Sequence, residues 1–238
     1  MNIFWRILFA HLLTDFTLQT EQLVKWKREK TAGLSVHVLI FFLVGLFLTW
    51  NKFSTIWSTR VGIPLYGWVS IFLISGLHFL LDDGRIKVIN HVATQADNLY
   101  FFLLDQLFHF SAIYLLTPTG KEIEKWAIFG CLFVAVTHFA NVFLYYLEKK
   151  QTNLQAQEIK VFNAEKNYSL IERLIIASCF LLPGFWWTIF LLIIFVRPGF
   201  HKLLNLRSKG EHFSLLLLVV NYVIALSCGI LARVVLVF

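Results

Sequence analysis

Residues 65–83 read LYGWVSIFLISGLHFLLDD. No Asp, Glu, Lys or Arg interrupts Leu65–Leu81. About 20 apolar residues are needed for a helix to cross the hydrocarbon core of a bilayer. Lipid offers backbone amides no partners, so a run of this kind must be helical. The same run holds His78 and closes on Asp82, one helical turn apart on one face. An apolar span with an imidazole–carboxylate pair near its end is the pattern that organises the rest of the chain.

Further apolar runs lie at Val36–Thr49, the segment ending at Leu116, Trp126–Leu147, Leu170–Val196 and Phe213–Phe238. The chain is 58% hydrophobic and 15% charged, against about 45–50% and about 25% in soluble domains. The reading is an all-α, polytopic transmembrane helix bundle; the alternating pattern of a membrane barrel is absent. Asn2–Leu18 is apolar like a signal peptide, but it contains His11 and Asp15. It then runs into the charged stretch Lys25–Lys30 without a small-residue cleavage site, and is read as a retained first helix. Cys131, Cys179 and Cys228 stand singly in apolar runs and read as small buried side chains.

Seven spans are expected near 3–19, 34–50, 63–82, 99–117, 126–147, 169–196 and 212–237. The sixth is too long, and Pro183-Gly184 interrupts it with a turn signal. Charge chooses between one bent helix and two helices, about Asn163–Leu182 and Phe185–Leu204. Excess Lys and Arg mark cytoplasmic loops. With a hairpin at Pro183-Gly184, one side collects Lys25, Lys27, Arg28, Lys30, Arg85, Lys87, Lys149, Lys150, Lys160, Lys166, Arg197, Lys202, Arg207 and Lys209. The other side holds only Lys52, Arg60, Lys121 and Lys125. About eight helices result, with the basic side cytoplasmic and both termini periplasmic. The net charge of +7 is then mostly a topology signal that also attracts anionic headgroups. The basic residues are dispersed over separate loops with no binding motif, so nucleic acid is not an expected partner; membrane lipids are. Trp5, Trp50, Trp57, Trp68 and Trp126 fall near span ends, as interfacial belts do. Three parts follow: a five-helix membrane part at 1–147, a cytoplasmic linker at 148–168, and a three-helix membrane part at 169–238.

The chemistry lies in polar residues that lipid should exclude, each of which needs a partner or a task. The first helix carries His11, Asp15 and Gln19, spaced by four; the third carries His78 and Asp82; the fourth carries Asp105, Gln106 and His109. His37 sits about a turn inside the second. Alternating topology brings all of these to a similar depth in the cytoplasmic half. Imidazole and carboxylate on facing helices are the donor set of a divalent metal site in a bundle. The candidate ligands are His11, Asp15, His78, Asp82, Asp105 and His109, with His37 as ligand or general base. Gln19 and Gln106 are placed to orient ligands or substrate. His138, Asn141, Glu172 and Arg173 join as supporting or substrate-facing residues. Each also has a plainer role, His138 as a helix–helix hydrogen-bonder and Glu172-Arg173 as an ion pair at a helix end.

The strings HLLTDFTLQT (11–20), HFLLDD (78–83) and LLDQLFHF (103–110) resemble the motifs of a bacterial membrane-protein family catalogued as domain of unknown function 3307. Its pattern is His-x-x-x-Asp-x-x-x-Gln, a lone His opening the next helix, His-x-x-x-Asp, and Asp-Gln-x-x-His. The resemblance implies His11, Asp15, Gln19, His37, His78, Asp82, Asp105, Gln106 and His109 as the shared positions, with Lys25 as the basic residue after the first helix. LIERLIIA (170–177), RPGF (197–200) and EHFSLLL (211–217) are looser similarities. That family is functionally uncharacterised, so the resemblance reinforces the site and leaves its reaction open. A fainter similarity points to bacterial membrane-bound metal-dependent hydrolases.

The leading expectation is therefore a bacterial inner-membrane, multi-pass, metal-dependent hydrolase acting on a lipid-like (phospho)ester. Zinc, manganese and iron all suit mixed His and carboxylate donors. A metal-ion or proton transporter using the same residues is the alternative. A structural subunit with a buried polar network is the second. A carrier needs polar groups continuing to the far side, where these helices read as apolar. Substituted-cysteine labelling in whole cells tests the topology: positions 149 and 207 should both label from the cytoplasmic side. Periplasmic labelling at 207 with protection at 149 means that Pro183-Gly184 is no hairpin.

Overall fold

The computed structural model describes residues 2–92, 97–120, 122–152, 164–189 and 215–237. They are helical throughout, apart from one two-stranded hairpin and the connecting turns. Four helices among the described residues are long and apolar enough to cross a membrane: Thr31–Leu48, Leu99–Leu116, Lys125–Lys150 and Leu216–Val237. The all-α membrane bundle read from the sequence is what the chain forms. It packs as two compact units, Met1–Cys131 and Leu132–Phe238. Much of the hydrophilic stretch 148–168 lies outside the described residues.

In the first unit, α1 (Phe4–Leu12) continues as a π turn, Leu13–Thr17. Next come α2 (Glu21–Glu29), α3 (Thr31–Leu48), the hairpin β1 (Ile56–Ser58) and β2 (Pro64–Tyr66), α4 (Gly67–Lys87), α5 (Leu99–Leu116) and α6 (Lys125–Val134). Four of these helices close a ring: α1 packs on α3 and α5, and α4 packs on α3 and α5. Their faces are sorted in the inverse of a soluble bundle. On α5, Asp105, Gln106 and His109 are buried while Leu103, Leu104, Leu107 and Phe108 are exposed. On α3, His37, Phe41 and Gly45 point inward and Leu39, Leu43 and Phe47 outward. On α4, His78 and Asp82 are buried against exposed Phe72, Leu77 and Leu80.

One end of this unit is tied by contacts among the N-terminus and two loops. Asn2 donates to the carbonyls of Gly120 and Glu122. Arg6 forms a two-point ion pair with Glu124 at 2.8 Å and donates to Asn51. Arg60 lies 3.7 Å over the Tyr114 ring and donates to Thr119. Lys27 and Arg28 lie on α2, between α1 and α3, and Arg85 and Lys87 close α4 ahead of α5.

Several expectations are corrected. The charged stretch Lys25–Lys30 is not a plain loop, because residues 21–29 form α2, capped by Thr20, whose Oγ1 accepts from the Leu23 amide. Gln19 lies past the end of the helix that carries His11 and Asp15. The π turn widens the spiral, and its bond from the Leu18 amide to the Leu13 carbonyl ends the helix. Trp57 is no interfacial belt residue. It is fully buried in the hairpin, packed on Gly67 with its indole donating to the Lys52 carbonyl. Trp50, Trp68 and Trp126 are exposed, as such a belt requires.

In the second unit the chain passes through the π turn Ala135–Phe139 into α7 (Ala140–Thr152), then α8 (Ala164–Cys179) and α9 (Leu215–Val237). Ile176, Cys179, Phe180 and Ala225 form one buried cluster, and Val136, Ala177 and Cys228 another. All three cysteines are free and buried. α8 stops before Pro183-Gly184, where Gly184 takes φ +57° and Arg233 donates to the carbonyls of Phe180, Leu182 and Gly184. The segment is thus a turn rather than one bent helix. The remainder of the expected seventh helix, 190–204, lies outside the described residues.

A close corner sets the position of α2. A Cβ on Gly33 would come within 2.5 Å of the Trp26 carbonyl carbon and 2.7 Å of the Lys27 amide. Gly33→Ala should therefore lower thermal stability in detergent, by about 1–3 kcal/mol as overpacking does. Gly76→Ala, at an exposed helical position with open space around it, should be neutral or stabilising by up to about 1 kcal/mol. Equal effects at both positions would show that the corner is not close-packed.

Candidate metal centre

The ring of α1, α3, α4 and α5 brings seven potential ligands together. The His11, Asp15 and His78 donors lie within 4.8 Å of one another, as do those of His37, His78 and Asp82, and those of Asp82, Asp105 and His109. His78 and Asp82 each belong to two of these groups, so α4 joins the whole into one cluster. His11 and His37 have no exposed surface, and the other five side chains are at most 8% exposed. These buried His and Asp groups are placed to hold a metal ion.

The tightest part is a triangle. His37 Nε2 lies 3.1 Å from His78 Nε2, and Asp15 Oδ1 lies 3.4 Å and 3.5 Å from these two nitrogens. In a regular tetrahedron the edge is about 1.6 times the centre-to-vertex distance. Edges of this size fit a centre about 2.0 Å from each donor, close to the ~2.0–2.2 Å of zinc–nitrogen and zinc–oxygen bonds. Asp82 Oδ2 stands 3.6 Å and 3.9 Å from the two histidines, on the adjoining side.

Neighbouring polar groups decide which histidine lone pairs face inward. Gln106 Nε2 donates to Asp105 Oδ2 at 3.1 Å, which turns its carbonyl oxygen toward His11 Nε2 at 3.3 Å. His11 must then carry its proton on Nε2 and present a bare Nδ1, 3.6 Å from Asp15 Oδ1. His109 Nδ1 donates to the Asp105 carbonyl at 2.8 Å, leaving Nε2 bare and 3.8 Å from Asp82 Oδ1. Both bare nitrogens are buried, with no hydrogen-bond partner among the described residues. Unpaired buried acceptors are costly, and the outer hydrogen bond that fixes the tautomer is the habit of metal-ligating histidines. The rings also brace one another: His11 and His109 stack at 5.0 Å, and His78 meets His109 edge-on at 4.5 Å.

Two cations complete the centre. Lys27, on α2, donates to Asp82 Oδ2 at 3.0 Å, and Arg85, on α4, donates to Asp105 Oδ2 at 2.9 Å. Arg85 also lies 3.8 Å from Asp97, which Arg28 approaches at 3.7 Å. The sequence reading missed both as site residues. Arg85 had a signal, since it follows Asp82 by three on the same helical face. Lys27 had none, because α2 was read as a loop, and Lys25, expected from the family pattern, is exposed. On the opposite side, Phe41 stacks on His78 at 5.0 Å, and Ile7, Ile71, Ile74 and Ile113 are buried alongside the hydroxyls of Ser70 and Ser75.

Among the described residues Gln19 makes no hydrogen bond to the cluster, and its buried Oε1 has no partner among them. Asn141, Glu172 and Arg173 form a network of their own in the second unit. Arg173 is fully buried and donates to the carbonyls of Val136 and Thr137, at the π turn, and to Asn141 and Asn221. Glu172 accepts from Asn221 and Tyr222. His138 is in contact with Thr137 Oγ1.

A family model described as "Protein of unknown function (DUF3307)" matches residues 3–132. That is nearly the extent of the first unit and contains the whole seven-residue cluster. No curated protein and no solved structure matches the chain.

Arg173→Leu should strip a buried charged donor from the Val136 and Thr137 carbonyls and from the side-chain oxygens of Asn141 and Asn221. The expected loss is about 3–5 kcal/mol, read as a lower unfolding midpoint in detergent, with Arg173→Lys in between. A wild-type midpoint for the leucine variant would mean that the network carries no stability.

Proposed function

Taking as premise that this chain belongs to the family described as "Protein of unknown function (DUF3307)", we propose that it is a bacterial inner-membrane, metal-dependent hydrolase of lipid-like (phospho)esters. The observation that carries this reading is the convergence of Asp15, His37 and His78 at ligand spacing, beside two buried histidine nitrogens that no described residue satisfies. Zinc, manganese or iron suits such donors. When bound, a divalent ion supplies Lewis acidity and brings the pKa of a coordinated water near neutrality.

The residues then divide by position. Asp15, His37 and His78 are the core ligands, which assigns His37 to ligation rather than to base catalysis. Asp82 faces both histidines with one oxygen and His109 with the other, so it is placed to complete the ligand set, with the bare Nε2 of His109 beside it to take a proton from an attacking water. Asp105 fixes His109 through its backbone carbonyl and Gln106 through its carboxylate; Gln106 fixes His11. The excess of Lys and Arg on the loops at this end supports a cytoplasmic opening with both termini periplasmic. A site at that depth is reached most directly by a membrane lipid. Ile7, Phe41, Ile71, Ile74 and Ile113 line the other side with the uncharged hydroxyls of Ser70 and Ser75, and the absence of a charged group among these residues supports a hydrolase over a carrier.

Purified protein should hold a divalent ion in stoichiometric amount, and Asp15→Asn and Asp82→Asn should each lose most of it. Loaded protein in detergent should release product from a lipid phosphoester with no gradient, and chelation should stop it. Activity should fall with acid, because protonated histidines and carboxylates no longer hold the ion. His37→Ala should lose metal and turnover together; retained metal with turnover down roughly 10²–10⁴-fold would make His37 a base instead. Equally empty wild type and variants after metal supplementation would leave only a structural polar network. Metal-dependent ion flux in proteoliposomes without any hydrolysis would make the protein a carrier.

A further inference from the structure

Lys27 and Arg85 have exposures that set them apart from the cluster they serve. Their side chains are 13% and 17% exposed, whereas the carboxylates they hold are each 6% exposed. Among the described residues they are the members of the centre that water or a ligand reaches first. Both approach from the α2 side and the charged end of α4, and Arg28 and Asp97 continue the same rim.

The charge balance explains why two cations belong there and what they do next. Asp15, Asp82 and Asp105 carry three negative charges, and Lys27 and Arg85 carry two positive ones, so with neutral histidines the centre is left with one negative charge. One divalent ion would reverse the sign to a single positive charge and would draw on Asp82, the carboxylate that Lys27 holds. Like charges a few ångströms apart in a low-dielectric setting repel strongly. The Lys27 ammonium, on a flexible stem, is the group free to turn. An ion, an ammonium and a guanidinium around one opening present three positive centres. A planar carboxylate has two oxygens to offer them; the terminal phosphate of a monoester has three free ones, and the guanidinium fork fits two of these at once.

We propose that Lys27 and Arg85 form an oxyanion subsite beside the metal position, built for a phosphate group. This rests on the metal reading above and deepens it: the scissile ester is a phosphoester or lies next to one. The cation pair reaches the phosphate at the mouth, and the buried donors hold the ion behind it. The Gly33 corner, which folds α2 back against α3, is what delivers Lys27 to this position.

Calorimetric titration of the full-length, metal-loaded protein in detergent with inorganic phosphate tests the subsite. Wild type should bind phosphate only after metal loading. Lys27→Gln and Arg85→Gln should retain metal and weaken phosphate binding roughly ten- to hundredfold, as loss of a charged hydrogen bond does. Lys27→Arg should stay within a few-fold of wild type. A monomeric short-chain phosphatidic acid distinguishes the source: tighter binding than inorganic phosphate assigns the subsite to a lipid headgroup, and equal binding assigns it to the free anion. Unchanged phosphate affinity in both Gln variants overturns the proposal. So does loss of metal together with phosphate, which would make the two cations mere counter-ions of the ligands. If the Gln variants fail to fold, wild type still decides, because equal phosphate binding before and after metal loading overturns it. Metal uptake without phosphate binding sinks the subsite alone; absence of metal uptake sinks the metal reading with it.

Discussion

Charge inside hydrocarbon is the constraint on which the rest of the structure depends. An isolated carboxylate or guanidinium in lipid costs several kcal/mol, and this chain carries three carboxylates and two buried-side cations within one ring of helices. Apolar attraction between helices is weak in a membrane, since lipid tails are as apolar as leucine. The polar faces of α1, α3, α4 and α5 therefore have the strongest reason to meet. Once they do, Leu, Ile and Phe are left on the outside, and the bundle is sorted in reverse of a soluble protein. The seven-residue cluster is at once the glue of the ring and its candidate site.

The outer polar groups matter as much as the donors. Gln106 touches both Asp105 and His11, and the Asp105 carbonyl holds His109. These bonds choose tautomers, and the tautomers choose which lone pairs face the centre. A site assembled only from the spacing of His and Asp could have turned either nitrogen inward. Thr14 makes a related contribution. Its hydroxyl donates to the Ala10 and His11 carbonyls at the π turn, where the helical ladder is interrupted, and so supports the local shape that aims Asp15.

The second unit meets the same constraint differently. Its π turn also carries a back-bonding threonine, Thr137, and a neighbouring helix supplies Arg173 to take up the carbonyls at the turn. With two asparagines and Glu172 in reach, this network has the partners a buried guanidinium needs without any ion. The first unit instead ends with bare histidine nitrogens. The contrast is between a guanidinium whose donors are paired and a cluster of donors at ligand spacing, some of them without a partner among the described residues. The family match covers the cluster.

Hydropathy determined the membrane class, because about 20 apolar residues in a row have few other uses. Spacing by four determined the pairs His78–Asp82 and Asp105–His109, because a helix puts such residues on one face whatever surrounds it. The sequence alone also told that His37 would join them, through depth under alternating topology. Other features were decided only by the tertiary structure. Gln19 falls beyond the helix of His11 and Asp15 because a π turn closes that helix at Leu18. Trp57 went inside because Gly67, ten residues on, leaves room for its ring. Lys27 entered the centre because α2 folds back at Gly33, and no local pattern connects it to Asp82, which lies 55 residues away. Residue type and period are local properties and can be read along the chain. Which lone pair faces the cluster, and which lysine neutralises it, depend on contacts between helices, and those exist only once the ring has closed.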